Sequence, residues 1–194
     1  MFLKRTIDEA LANIEAETEI IAVLDGAWSP DPIVDHKRVK IIYYPESIGQ
    51  RAATNQAVKI AKGKYIMKVD AHCAFDKGFD RKMLEFFKEV GDDVTGVPLM
   101  RNLWAFDWVC PDGHRRYQGP SGPCTECKKP TERDIKWIGK ESPKSTAYCF
   151  DAAPHFQYFR GYSKRPEAQG DITETMSLQG SCFMLTKEKY LELN

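Results

Sequence analysis

The chain has 194 residues, 42% of them hydrophobic and 11% aromatic, which is enough to bury a core and too apolar for a disordered segment. Its 28 Lys and Arg balance 28 Asp and Glu, which argues against nucleic acid as a partner held by bulk charge. No apolar run approaches the roughly 18–20 residues needed to span a bilayer, and the opening MFLKRTIDEALANIEAE is too charged for a secretory signal.

In chain order, Leu3, Ile7, Leu11 and Ile14 stand three or four apart and predict a helix over 3–16 with one apolar face. EIIAVL (19–24) has strand length and ends in Asp25-Gly26, and VKIIYY (39–44) predicts a second strand closed by Pro45. From 48 to 62 a helix carries the small-residue face Ala52, Ala53, Ala57, Ile60 and Ala61, with Gly63 placed as its C-terminal cap. Tyr65 to Val69 is the third strand. Phe79, Met83, Phe86, Phe87 and Val90 mark a further helix, and a strand begins over 92–98. Helices alternating with near-continuous apolar strands predict an α/β domain with a mostly parallel sheet covered on both faces. Such sheets bind ligands beyond the carboxyl ends of their strands, and Asp25, Gly49 and Asp70 all lie at or just past a strand end.

After residue 100 the rhythm breaks. Residues 110–147 are rich in Pro, Gly, Lys and Cys and read as an insertion, within one domain of 1–194, that lacks the apolar residues for a core of its own. Aromatics return over 148–162, the polar loop SKRPEAQGDITE follows, and QGSCFML (179–185) predicts a last strand with a short helix behind it.

The stretch VDAHC, 69–73, holds the first chemistry. Side chains two apart on an extended chain point the same way, so Asp70 and His72 converge on one small object. One carboxylate oxygen and one imidazole nitrogen suit a divalent cation such as Mn²⁺ or Mg²⁺. The plainer alternative is that Asp70 caps the next segment while His72 bonds within a loop. GQRAATNQAVKIAKGKYIMKVDAHC resembles the central stretch of family-two glycosyltransferases with the GT-A fold: Gly49, Ala53, Asn55, Ala61 and Gly63 match the family's helix, and Asp70 to Cys73 its metal motif. The D-x-H-C form is similar to the manganese motif of polypeptide N-acetylgalactosaminyltransferases. EIIAVLDGAWSPD resembles the family's strand ending D-D-G-S-x-D, with Leu24 in place of the first aspartate, and QGSCFMLTKEKY resembles a later glycine-rich element bordering the sugar and acceptor sites.

That resemblance implies a nucleotide-sugar donor (a UDP-sugar), an unidentified acceptor, and transfer of the sugar between them. It assigns Asp25 to base or ribose, Arg51 to base edge or phosphate through its planar fork, and Asp70 with His72 to the metal. Asn55 is expected to pack or cap. It also implies that the chain stops before the segment where relatives carry the acid that deprotonates the acceptor, as though truncated at both ends. Asp171 and Glu174 are the only carboxylates left near the glycine-rich strand as candidates for a general base. A degenerate donor-binding domain and a zinc-stapled interaction module are the rival readings.

The six cysteines stand at 73, 110, 124, 127, 149 and 182, with no export signal, and imply a reducing, cytoplasmic setting. In CPDGHRRYQGPSGPCTEC, Cys110 and His114 form one knuckle, Cys124 and Cys127 another: the composition of a structural zinc site. Cys149 is the alternative fourth ligand to His114, and a disulfide the alternative to zinc. Cys73 is expected as a small buried residue behind the metal motif, and His155 as a packed histidine. Trp28 is expected in the core or stacked on base or sugar.

Overall fold

The computed structural model describes residues 2–143, 148–158, 161–175, 178 and 180–193. The elements run α1 (Leu3–Asn13), β1 (Ile20–Asp25), β2 (Val39–Tyr44), α2 (Gln50–Ile60), β3 (Tyr65–Val69), α3 (Phe79–Val90), β4 (Arg101–Val109), β5 (Arg115–Tyr117), β6 (Glu132–Pro143), β7 (Tyr148–Phe150), β8 (Phe156–Tyr158), two 3-10 turns (Tyr162–Lys164 and Pro166–Ala168), β9 (Cys182–Thr186) and α4 (Lys187–Glu192). They form two compact units, one of residues 1–98 with 145–194, the other of 99–144. None of the described helices is long and apolar enough to cross a membrane.

In the first unit β1 and β2 pair in parallel from Ile20↔Val39 to Asp25↔Tyr44, and α2 packs against β1. β3 pairs with β9, from Tyr65↔Thr186 to Val69↔Cys182, and this pairing is antiparallel. The β3–β9 ribbon is covered on both sides, and the period of two sorts its residues. Ile66 and Leu185 join Val58 of α2 and Tyr190 of α4 in one buried cluster. Met184, with Tyr65 and Met67 against it, joins Met83 and Phe87 of α3 in another. Burial on both faces accounts for the near-continuous apolar run of β3, broken only by Lys68, and it constrains strand direction not at all. The expected mostly parallel sheet is thus corrected: among the described pairings only β1–β2 is parallel.

The strand expected over 92–98 reduces to a single bridge, Gly96↔Met184, closed by two hydrogen bonds of 2.8 Å. Gly96 lies so close to α3 that a Cβ would sit 2.7 Å from Cε1 of Phe86, and Pro98 has no N–H to extend the ladder. α1 is anchored through Asp80 at the start of α3. That buried carboxylate accepts the backbone N–H groups of Glu15 and Ala16 at 2.9 Å each and the hydroxyl of Thr18 at 2.7 Å.

The second unit is an antiparallel sheet in the order β5-β4-β6. It begins at Leu99, earlier than the insertion expected over 110–147, and it does carry a small apolar core. Ala105, Phe106, Trp108 and Trp137 are buried, as are Cys110 and Cys124. Phe106 and Trp108 meet edge to face at 5.3 Å, and the Arg133 guanidinium lies 4.9 Å from both rings. Buried Asp107 is paired with Arg115 at 3.2 Å and accepts the Trp104 indole N–H at 2.8 Å. These aromatics lie before 110 or singly at 137, and a composition reading of the loop alone misses them.

Candidate functional site

Asp25 ends β1, and its carboxylate faces the segment that opens α2. Oδ1 accepts the N–H of Ile48 at 2.7 Å, while Oδ2 accepts the Ser47 hydroxyl at 2.9 Å and the N–H of Gly49 at 3.0 Å. The Ile48 N–H, with the Ser47 hydroxyl and the Gly49 N–H, holds the carboxyl below the usual aspartate range against a smaller opposing cost of burial. Gly26 stands at φ +80°, where a Cβ would lie 2.9 Å from the Ser47 nitrogen. Gly49, at φ +88°, turns the chain into the helix. Asp25 is therefore a buckle for this loop, and most of its hydrogen-bonding capacity is spent on its own chain. The arrangement sets Arg51 in the first turn of α2, exposed and with no side-chain hydrogen bond or ion pair among the described residues. Trp28 is 61% exposed, its ring edge-on to Tyr43 at 5.1 Å, so the expectation of core packing does not hold.

Asp70 follows β3 directly, and its N–H donates to Ser181 O at 3.1 Å, which ties the strand tip to β9. Oδ2 of Asp70 and Nε2 of His72 converge to 4.0 Å. A cation about 2.1 Å from both atoms would subtend roughly 145° between them, wider than the roughly 90° of neighbouring octahedral ligands, so the pair stands near enough to share an ion but would have to close up to bind one. The turn between them is braced by α1: the buried Thr6 hydroxyl donates to Ala71 O at 3.0 Å and accepts the N–H of Cys73 at 3.1 Å. Cys73 is half-buried, and burial pushes its thiol upward. Cys182, on β9 beside it, is pushed to about 12, first by burial and then by Cys73.

Lys68 is a site residue that the sequence reading overlooked. Its side chain is only 10% exposed, and Nζ sits 2.5 Å from both Asp70 Oδ1 and Gly180 O. The ammonium fixes one oxygen of Asp70 and leaves the other toward His72. The signal was present in KVDAH, where Lys68, Asp70 and His72 alternate, and it was read only from Asp70 onward.

The family model for glycosyl transferase family 2 matches residues 2–150, a span that includes Asp25, the 47–49 loop, the whole of β3, Asp70 and His72. The chain belongs to glycosyl transferase family 2. Membership implies a GT-A-like α/β fold and, in general, glycosyl transfer from nucleotide-sugar donors. No curated protein matches the chain.

Other residues suggested by the resemblance to this glycosyl transferase family fall as follows. Asn55 packs, as expected: its Oδ1 accepts the buried Tyr190 hydroxyl at 2.8 Å and joins α2 to α4. Asp171 and Glu174 lie exposed in the loop after the second 3-10 turn, where the Glu174 carbonyl accepts the Tyr162 hydroxyl at 2.9 Å. No described contact joins either carboxylate to Asp70 or His72. His155 differs from the packed histidine expected: it is 72% exposed and stands 3.3 Å from Oδ2 of Asp151, whose Oδ1 closes the β7–β8 turn by accepting the N–H groups of Ala153 and His155. In the other unit the structure brings Cys110, His114, Cys124 and Cys127 together. The side chain of Cys149 lies outside the described residues.

Proposed function

We propose that this family 2 glycosyltransferase takes its sugar from a UDP-sugar and delivers it to an acceptor hydroxyl, using Mn²⁺ or Mg²⁺ held by Asp70 and His72. The observation that supports this best is the convergence of the two side chains at the tip of β3, braced from α1 and β9, in a chain of this family. A divalent cation there would neutralise the diphosphate as it departs from the anomeric carbon. Asp25 acts on the donor indirectly, by setting the loop that presents Arg51 and the first turn of α2. The Arg51 fork suits a phosphate or a base edge, and the exposed Trp28 ring offers a stacking face for the base. Lys68 holds Asp70 in place, so the cation meets a carboxylate already aimed. Asp171 and Glu174 are the carboxylates to test as general base toward the acceptor.

The experiment measures UDP release from a panel of UDP-sugars with and without Mn²⁺, for the wild type, Asp70→Ala and His72→Ala, beside thermal stabilisation by UDP and Mn²⁺ together. Metal-dependent release lost in both variants, with folding intact, is the expected outcome. Unchanged turnover in either variant would remove the metal role. Stabilisation by UDP and Mn²⁺ without turnover on any sugar would leave a donor-binding domain in place of a transferase.

A further inference from the structure

The second unit carries a site that stands apart from the proposed transfer chemistry. Sγ of Cys110 lies 3.5 Å from Nδ1 of His114, and Sγ of Cys124 lies 3.8 Å from the same nitrogen. Sγ of Cys127 lies 3.6 Å from Sγ of Cys110, and one ligand atom from each of the four residues falls within 4.8 Å of every other. Tetrahedral zinc, at about 2.3 Å from sulfur and 2.05 Å from nitrogen, requires sulfur–sulfur edges of about 3.8 Å and sulfur–nitrogen edges of about 3.5 Å. The three separations of 3.5, 3.8 and 3.6 Å lie within about 0.3 Å of those edges, and the other three fall within 4.8 Å. They are far longer than the roughly 2.05 Å of a disulfide, and all three cysteines are free thiols.

Backbone hydrogen bonds close the two knuckles. The first closes by Gly113 N–H to Cys110 O at 2.9 Å and Cys110 N–H to His114 O at 3.2 Å. The second closes by Lys128 N–H to Cys124 O at 3.0 Å and Cys124 N–H to Lys129 O at 2.8 Å, with Lys128 at φ 62°. Asp112 of the first knuckle reaches Lys129 of the second at 2.5 Å. His114 turns Nδ1 to the sulfurs while Nε2 lies 3.4 Å from Glu126 Oε2. A carboxylate on the far nitrogen fixes the tautomer and ring angle of a metal-bound histidine.

We propose that Cys110, Cys124, Cys127 and Nδ1 of His114 bind one Zn²⁺ in a closed structural site, that Glu126 orients His114 from the far side of its ring, and that residues 99–144 fold with the metal. Four protein ligands leave no position open for substrate. The site clamps the turn after β4 to the segment that enters β6, across residues 118–131, which form no strand. A core of Ala105, Phe106, Trp108 and Trp137 is small for 46 residues, and a metal that binds only the folded arrangement contributes its binding energy to folding.

The test begins with metal content of the full chain purified without added metal and with replacement of that metal by Co²⁺. About one zinc per chain, and the visible d–d bands of tetrahedral thiolate-bound Co²⁺, are expected. Cys127→Ser should lose the bound metal, whereas Cys149→Ser should keep it, which decides between His114 and Cys149 as the fourth ligand. Glu126→Gln should weaken zinc about 10- to 100-fold in competition with a chelator. A chain that contains no zinc, takes up no Co²⁺ and still protects 99–144 from proteolysis would overturn the site. Zinc lost in Cys149→Ser would overturn the ligand set. Unchanged affinity in Glu126→Gln would overturn the role given to that carboxylate.

Discussion

Thr6 shows how far from the chemistry a site residue can be in sequence. It lies 65 positions before Ala71, yet its one hydroxyl serves both ends of the Ala71–Cys73 turn. Thr6→Val keeps the shape and removes the hydroxyl, leaving the Ala71 carbonyl and the Cys73 N–H without that partner, at a cost of about 0.5–1.5 kcal/mol. The expected result is weaker Mn²⁺-dependent UDP binding by calorimetry, with the Zn²⁺ content unaltered. Asp80 is a second such case. Burial opposes its charge, but the N–H groups of Glu15, Ala16 and Arg81 and the Thr18 hydroxyl outweigh it and hold the carboxyl below the usual range. A folded-state value below the unfolded one, about 3.9, means stability that is present above that pH and is lost as pH falls through the folded value. Asp80→Asn should therefore lower Tm at neutral pH and flatten the acid limb of Tm against pH below about 4. A variant that runs parallel to the wild type down to strong acid would deny the carboxylate this role. Neither residue is legible from sequence, because each works by hydrogen bonds to segments more than 60 positions away.

The elements themselves were legible wherever local pattern and burial agree. Tyr65–Val69 and Phe79–Val90 stand where the apolar run and the helical stripe place them, and Val39–Tyr44 ends before Pro45 as expected. Partner and direction were not. A nearly continuous apolar run reports that both faces are covered, and β3, apolar but for Lys68, achieves this with an antiparallel neighbour from the other end of the chain. The segment 92–98 has strand-like composition, but Gly96 pressed on Phe86 permits only one bridge. A prediction belongs to the turn after β1, where a side chain at Gly26 meets both a positive φ and the Ser47 backbone at 2.9 Å. Gly26→Ala should shift the 47–49 loop off Asp25 and cost about 1–3 kcal/mol. Because that loop opens α2, the donor KM should rise while Mn²⁺ affinity measured without nucleotide stays at the wild-type value. Equal losses in both would show that the loop and the β3 tip act as one piece.

At the scale of the whole chain, the sequence marked residues 110–147 by what they lack, and the unit that exists starts at Leu99 because β4 supplies its aromatics. Cys110 with His114 and Cys124 with Cys127 were visible as two knuckles because each pair is close in sequence; Glu126 was not, since any surface glutamate looks alike in a string of letters. The apolar clusters of α2, α4, β3 and β9 and of α3 draw on residues of the first unit alone. On the zinc proposal the two units depend on different forces, apolar burial in one and metal with a few aromatics in the other. Withdrawing the metal should consequently separate them. Hydrogen exchange after exhaustive chelation is expected to release the amides of β4, β5 and β6 while those of β3 and β9 keep their protection. If β3 and β9 open together with β4, the chain unfolds as one cooperative body and the metal stabilises all of it. If β4 to β6 stay protected without metal, the aromatic cluster under Arg133 is sufficient by itself, and the energetic division between the units is wrong.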